Sequence, residues 1–189
     1  MQYSKGHNTR KAEEGFSLLE LLLVVGVGAL LLLAGIGTYQ LVTAGSTANE
    51  AVRLIATVKQ QTQRAFQGQA TYGANGTDLV PTLVAMQAFP SGVVNAAGVP
   101  LDPWGGAMTG LAAQSPAGAA GDSFTITFPA VPTSSCIQIG TAFTENDTDF
   151  ISLVVNGAAP FNVANPITTA ALTPLCGGAA AVPMVWQFF

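Results

Sequence analysis

Acidic side chains cluster in one short segment of this sequence of 189 residues. Glu145, Asp147 and Asp149 alternate along residues 144–149, and alternate carboxylates in a loop are a pattern that can bind calcium. The EF-hand spacing, with its central glycine and closing glutamate, is absent. The favoured interpretation is therefore a solvated, charged loop, and the sequence predicts no metal ion and no other cofactor.

Catalytic patterns are missing from the rest of the sequence. The single histidine, His7, lies close to the start, which removes a His-based metal site and a His-dependent triad from consideration. The sequence also lacks a G-x-S-x-G nucleophile elbow, a P-loop and a dinucleotide fingerprint. We therefore predict that the protein is not an enzyme and has no catalytic residue.

Cys136 and Cys176 are the only cysteines in the sequence. They do not form the CxxC spacing of a metal site. If they lie outside the cytoplasm, a disulfide between them is the expected state, because that compartment is oxidising. Closing a loop of about 40 residues would stabilise the folded chain by roughly 4 kcal/mol on the chain-entropy model.

An apolar segment near the N-terminus contains a single charge. Residues 16–37 read FSLLELLLVVGVGALLLLAGIG, in which Glu20 is the only charged residue. As a helix the segment would be roughly 33 Å long, enough to cross a hydrocarbon core of about 30 Å. Lys5, Arg10 and Lys11 all precede it, so we expect a cytoplasmic N-terminus and an outward-facing remainder.

Two interpretations of this segment lead to different proteins. An ordinary secretory signal has an apolar core of roughly 7–15 residues and would be cut at a small-residue site such as the one ending at Ala44. A membrane anchor is longer, and the length here favours it. Glu20 would then be hydrated at the cytoplasmic interface, or it would need a partner or a proton once the helix leaves the membrane.

Residues 15–20, GFSLLE, resemble the cleavage motif of type IV prepilins and the related pseudopilins. The resemblance implies that a membrane-embedded prepilin peptidase cuts between Gly15 and Phe16, and that Phe16 becomes the N-methylated N-terminus. It also implies that Glu20 is an assembly carboxylate that pairs with the terminal amine of a neighbouring subunit, since a buried amine and carboxylate satisfy each other. Residues 1–15 would then be a cytoplasmic leader peptide.

A helical pattern continues beyond the apolar segment. Small and apolar residues recur at three- and four-residue spacing at Leu41, Ala44, Ala48, Val52, Ile55, Val58, Thr62 and Phe66. Because residues 16–68 contain no proline, the pattern predicts one long N-terminal helix that ends at Gly68. Within it, residues 16–37 would form the transmembrane segment and later the filament core. Its glycines are either close-packing positions or ordinary membrane-helix residues, at Gly26, Gly28, Gly35 and Gly37.

Residues 69–189 are predicted to form a globular head of the α+β class. Its sequence predicts a short helix at 78–86 and strands at 123–128, 150–155 and 184–188. A hairpin-type turn is expected at Asn156-Gly157. Residues 136–143 fit a strand or a helix, and residues 105–121 cannot be assigned.

Several features make the resemblance type IVb-like. Many related pilins have a proline where this sequence has Gly37, and the leader and the cysteine-bounded region are long. Residues 101–106, LDPWGG, are similar to a segment in pilins of conjugative and enterobacterial thin pili; the alternative interpretation is a turn with a packed tryptophan. The fold implied is the type IV pilin fold, in which a long N-terminal helix packs on a small, mainly antiparallel sheet with a C-terminal disulfide-bounded region.

The function implied is that of a structural pilus subunit that forms a homopolymer. Its partners would be the prepilin peptidase, an assembly ATPase with its inner-membrane platform, and the bacterial inner membrane before assembly into an extracellular pilus. Six basic residues and a net charge of −4 give no reason to expect nucleic acid. The alternatives are a minor pilin or a type II secretion pseudopilin and, in another class, a secreted or membrane-anchored binding domain with an ordinary signal sequence.

Overall fold

The computed structural model describes residues 17–189 except residues 117 and 145, and the side chains of residues 37–42 lie outside the description. The predictions for the leader at 1–15, His7, Gly15 and Phe16 therefore fall on residues that the structure does not describe. The chain divides into two compact units, Met1–Leu41 and Val42–Phe189.

Helix α1 spans Leu18–Ala65, 48 residues. Within the first unit it includes Leu18–Ile36, a segment of 19 residues with a mean hydropathy of 2.6 and no buried side chain. By length and composition this segment is able to cross a membrane. The helix ends at Ala65, three residues before the predicted end at Gly68, and the turn that follows contains Gly68 with a φ of +86°.

In the second unit one face of α1 is buried. Ala48, Ile55, Val58 and Thr62 from the predicted stripe are all inaccessible to solvent or nearly so. The Thr62 hydroxyl donates a hydrogen bond to the backbone oxygen of Val58 at 2.8 Å, which satisfies a polar group in an apolar interface. The periodic spacing therefore identified the face that packs on the core; the side chain of Leu41 lies outside the described part.

The second unit contains a four-stranded antiparallel sheet. Strands β1 (Thr109–Ala113), β2 (Ser123–Pro132), β3 (Phe150–Val155) and β4 (Ala181–Phe188) are arranged in the order β1-β2-β4-β3. All three neighbouring pairs run antiparallel. The three predicted strands are confirmed as β2, β3 and β4, and β1 lies in the segment that could not be assigned from the sequence.

Three short helices complete the second unit. They are α2 (Val80–Ala85), α3 (Thr133–Gly140) and α4 (Thr169–Cys176). Helix α2 confirms the predicted short helix, and α3 shows that the ambiguous segment is mainly helical. Helix α4 begins at a capping side chain, because the Thr168 hydroxyl accepts a hydrogen bond from the backbone N–H of Ala171 at 3.2 Å.

The turn after β3 is the hairpin that the sequence predicted. Asn156 and Gly157 both have positive φ, +51° and +69°, as a two-residue type I′ turn requires. The returning chain brings Phe161 opposite Leu153, where the two backbones exchange hydrogen bonds of 2.9 and 2.8 Å. The turn therefore folds residues after β3 back onto the sheet edge.

Aromatic rings fill the core of the second unit around β4. The ring of Phe188 lies 6.0 Å from Phe124, 5.6 Å from Phe143 and 6.2 Å from Phe150, measured between centroids. Along β4, Met184, Trp186 and Phe188 form one fully buried face, as the alternation predicted. The sheet presents this face to the core while α1 contributes its apolar stripe.

Candidate functional site

Glu20 is an acidic residue within the exposed apolar part of α1. It lies in the first turn of the helix, where the positive end of the helix dipole favours a carboxylate. Its neighbours Leu18, Leu19 and Leu21 are 79, 73 and 57 % exposed, so this part of the unit consists of uncovered apolar surface around one carboxylate. Among the described residues Glu20 has no cationic partner.

The cleavage residues predicted beside Glu20 are Gly15 and Phe16, which the structure does not describe. The described chain starts at Ser17, whose hydroxyl accepts a hydrogen bond from the backbone N–H of Leu19 at 3.3 Å. Ser17 thus acts as a side-chain acceptor at the start of α1. The roles of Gly15, Phe16 and Glu20 stay predictions.

Cys136 and Cys176 form a disulfide, with 5.8 Å between their Cα atoms. The bond joins α3 to the end of α4, and both cysteines are buried. The two helices approach closely at Gly140, where an added β-carbon would lie 2.9 Å from Cδ1 of Leu172. The cross-link therefore joins two helices that also pack against each other, as expected for a structural disulfide.

The turn at residues 101–106 is built on Asp102. Its Oδ1 accepts hydrogen bonds from the backbone N–H groups of Trp104 and Gly106 at 2.9 and 2.8 Å. The Trp104 ring meets Phe128 edge-on at 6.4 Å. Oδ2 of Asp102 is buried and has no partner. Burial raises the pKa of Asp102, while the backbone hydrogen bonds to its carboxylate act in the opposite direction.

A second carboxylate organises the β1–β2 connection. Asp122 accepts hydrogen bonds from the backbone N–H and the hydroxyl of Ser115 at 2.7 and 2.6 Å. These hydrogen bonds lower the pKa of Asp122, because they stabilise its ionised form. Next to it, the side-chain oxygen of Asn75 accepts a hydrogen bond from the Gly121 N–H at 2.8 Å. Asn75 and Gly121 are 46 residues apart in the sequence, and no local pattern links them.

Asp147 and Asp149 of the acidic segment have different partners. Oδ2 of Asp149 lies 3.5 Å from Nζ of Lys59, whose ammonium also lies 5.3 Å from the centroid of the Phe188 ring. Oδ2 of Asp147 instead accepts a hydrogen bond from the Thr144 N–H at 3.1 Å. No group of three or more metal-ligating side chains occurs in the part of the chain that the structure describes, which omits Glu145.

Comparison with known proteins gives this architecture a family. A family model described as PilS N terminal matches residues 45–187. The chain belongs to this family of type IV pilins. No curated protein matches the chain.

Two solved pilin structures share the fold of this pilin. The type IV pilin TcpA from Vibrio cholerae El Tor biotype is 18% identical, with a TM-score of 0.53 over 75% of this chain and 98% of that chain. The type IVb pilin from Salmonella typhi is 19% identical, with a TM-score of 0.57 over 73% of this chain and 97% of that one. The predicted α+β pilin fold is therefore confirmed, and one of the two structures that share it is a type IVb pilin.

The family and fold of this pilin are those of structural subunits and not of enzymes. A surface concavity of about 460 Å³ is lined by Val84, Gln87, Phe89, Pro90, Ser91, Gly92 and Val94.

Proposed function

We propose that this pilin is the precursor of a major type IVb-like pilus subunit. The precursor is inserted in the bacterial inner membrane through residues 16–37 with its N-terminus in the cytoplasm. Prepilin peptidase cuts it between Gly15 and Phe16, and Phe16 is N-methylated. An assembly ATPase and its inner-membrane platform then move the subunit into an extracellular homopolymer.

The observation that carries this proposal is the apolar surface of Leu18–Ile36, none of which is buried within the chain. Full burial of one large aliphatic side chain is worth about 1.5–3 kcal/mol, so exposure of such a surface to water would be strongly unfavourable. Lipid tails and the same segment of other copies are both apolar covers. When the segment moves from lipid tails to the same segment of other copies, it stays in apolar surroundings and little apolar burial is lost. This suits a subunit that is extracted from a membrane into a helical core.

Glu20 supplies the selectivity that apolar packing lacks. Leucine and valine surfaces slide past one another at small cost, whereas a carboxylate in an apolar core must meet a cation or bind a proton. The new terminal amine of a neighbouring subunit would be such a cation. Its pairing with Glu20 would set the axial stagger between adjacent copies.

Intact-mass measurement and N-terminal sequencing of protein sheared from cells test this proposal. We expect a chain that begins at Phe16, carries one extra methyl group and has Cys136 and Cys176 oxidised. A chain that begins at Gly45 would indicate simple secretion and contradict the proposal. A major pilin should also dominate the sheared filaments, whereas a minor pilin or a pseudopilin would be scarce there.

A further inference from the structure

All positive side chains of the second unit lie on one helix. Arg53, Lys59 and Arg64 are the only lysine and arginine residues between residues 17 and 189, and all three belong to α1. Lys59 pairs with Asp149. Arg53 and Arg64 have no ion-pair partner among the described residues. Since charged residues make up only 8% of the sequence, two unpaired cations on one helix are a marked feature of its surface.

The two arginines share the outer face of α1. At about 100° per residue, Arg53, Gln60 and Arg64 lie within about 40° of one another, roughly opposite the buried Thr62. All three are exposed. We call this face, Arg53 with Gln60 and Arg64, the basic stripe. Its two guanidinium-bearing residues are about 16 Å apart along the helix axis.

Arg64 is the less compensated of the two arginines. Glu50 lies three residues before Arg53 and offers it a carboxylate on an adjacent part of the helix. The residues three and four positions away from Arg64 are Gln60, Gln61, Gln67 and Gly68, none of which is acidic. Its positive charge is therefore available to a partner outside its own helix.

An exposed carboxylate lies on a different side of the same unit. Asp147 is exposed in the loop before β3, and the ion pair between Asp149 and Lys59 fixes that loop beside α1. We call the loop that contains Asp147 and Asp149 the acidic loop. Because Lys59 is about 120° around the helix from Arg53, the acidic loop and the basic stripe face different directions.

We propose that the basic stripe of one copy of this pilin docks on the acidic loop of the next copy, with Arg64 facing Asp147. This inference rests on the proposed function, because it assigns a contact within the polymer. Two different, complementary patches on one chain form a heterologous contact, which continues from copy to copy and builds an open helical filament. The contact contributes to neighbour choice, while the apolar part of α1 provides the larger share of the affinity and the Glu20 pairing sets the axial stagger.

A charge exchange in the full-length chain, expressed with its assembly machinery, tests the contact. Arg64→Asp and Asp147→Arg each place like charges opposite each other, so we expect each to lower the amount of sheared filament by about tenfold. The double variant restores opposite charges in reversed order, and we expect it to recover most of the wild-type yield. Asp147→Asn removes the charge without placing like charges opposite each other, so we expect a smaller loss of filament than with Asp147→Arg. Ala170→Arg adds a positive charge at an exposed position on α4, outside the contact, and this control should assemble nearly normally.

Each result of the charge exchange either supports or overturns the proposed contact. Normal filaments from the single variants, or a double variant that fails to recover, would overturn the contact. If Arg64→Asp lowers the amount of sheared filament and Asp147→Arg does not, the proposed contact is wrong. The basic stripe then binds another anionic partner, such as lipid headgroups. Urea unfolding and the mass of each membrane-inserted variant separate these results from misfolding. If the wild type is processed at Phe16 and forms filaments, the proposed function holds even where the variants show that this contact is wrong.

Discussion

The carbonyl oxygen of Gly73 occupies the position that a β-carbon on Gly121 would take. Gly121 also has a φ of +72°, a left-handed conformation that side chains disfavour. Its backbone is held on both sides, because its N–H donates to Asn75 and its carbonyl oxygen accepts a 2.7 Å hydrogen bond from the Tyr72 N–H. Two loops that are distant in sequence are thus joined at a point where only glycine fits.

Gly121→Ala is expected to lower the free energy of unfolding by about 3 kcal/mol or more, since it combines an unfavourable φ with a clash against fixed backbone. Gly98→Ala is the matched control. Gly98 has a similar φ of +79° but nothing within 4 Å of an added β-carbon, so a loss of only about 1–2 kcal/mol is expected. Urea unfolding of the purified variants measures both. Equal losses would show that the close approach to Gly73 is unimportant.

Removal of the disulfide should destabilise the second unit without changing its fold. Cys136 and Cys176 are 40 residues apart in sequence, so the cross-link restricts the unfolded chain by about 4 kcal/mol on the chain-entropy model. We expect the double serine variant to unfold at a correspondingly lower urea concentration. The reduced wild type provides the comparison. If its stability matches that of the oxidised protein, the cross-link does not contribute in this way.

Glu20→Ala is expected to insert and fold but to give about a hundredfold fewer filaments, because the neighbour's terminal amine would be left buried and unpaired. Glu20→Gln keeps the size of the side chain and removes only the charge, and it should show nearly the same defect. Filament yield after shearing and subunit content in the membrane are the two measurements. A Glu20→Gln variant that assembles normally would show that the carboxylate charge is not required.

Asp122 is expected to make the protein sensitive to acid. The pKa of Asp122 is lowered in the folded chain by hydrogen bonds from Ser115, so it contributes stability above the ordinary carboxyl pKa of about 4. That contribution is lost as the pH falls through the folded pKa. We expect Asp122→Asn to be destabilising at neutral pH and progressively less so as the pH falls below about 4 towards the folded pKa, as measured by urea unfolding across that range. A pH-independent effect would contradict this assignment.

Asp102 should have the opposite pH dependence. Burial raises its pKa in the folded chain, so the unfolded state loses this proton first, and stability falls as the pH rises from about 4 to the folded pKa. Asp102→Asn keeps Oδ1 as an acceptor for Trp104 and Gly106 and removes the charge. The free energy of unfolding of this variant, relative to that of the wild type, should therefore be higher at neutral pH than in acid. A variant that loses most stability at neutral pH would refute the expectation.

Regular patterns in the sequence were sufficient for part of the fold. The alternation at Met184, Trp186 and Phe188 identified β4, and the spacing of Ile55 and Val58 identified the buried face of α1. Strand β1 has no such signal, because its sequence is TGLAA and its one large apolar residue, Leu111, is 40% exposed. Helix α4 contains Pro174 in its interior, a residue that argues against a helix in any local interpretation.

Local sequence patterns predicted less of the candidate site than of the fold. The apolar segment and its single carboxylate, Glu20, follow from composition, but the meaning of residues 15–20 came from resemblance to a family. Contacts such as Asn75 with Gly121, 46 residues apart, depend on how the strands are arranged. The ion pair between Lys59 and Asp149 depends on topology in the same way, since no local pattern links a helix to a loop that follows two strands.

The position of β4 has a consequence for the order in which the head folds. This strand is the last of the four in chain order, yet it lies between β2 and β3 and is the only strand that joins them. Until β4 arrives, β3 has no strand neighbour, and the aromatic core around Phe188 lacks its centre. The sheet therefore closes in one late, non-local step, and folding should be slow for a domain of this size. During synthesis, the earlier strands would remain incompletely folded and in need of protection until β4 is in place.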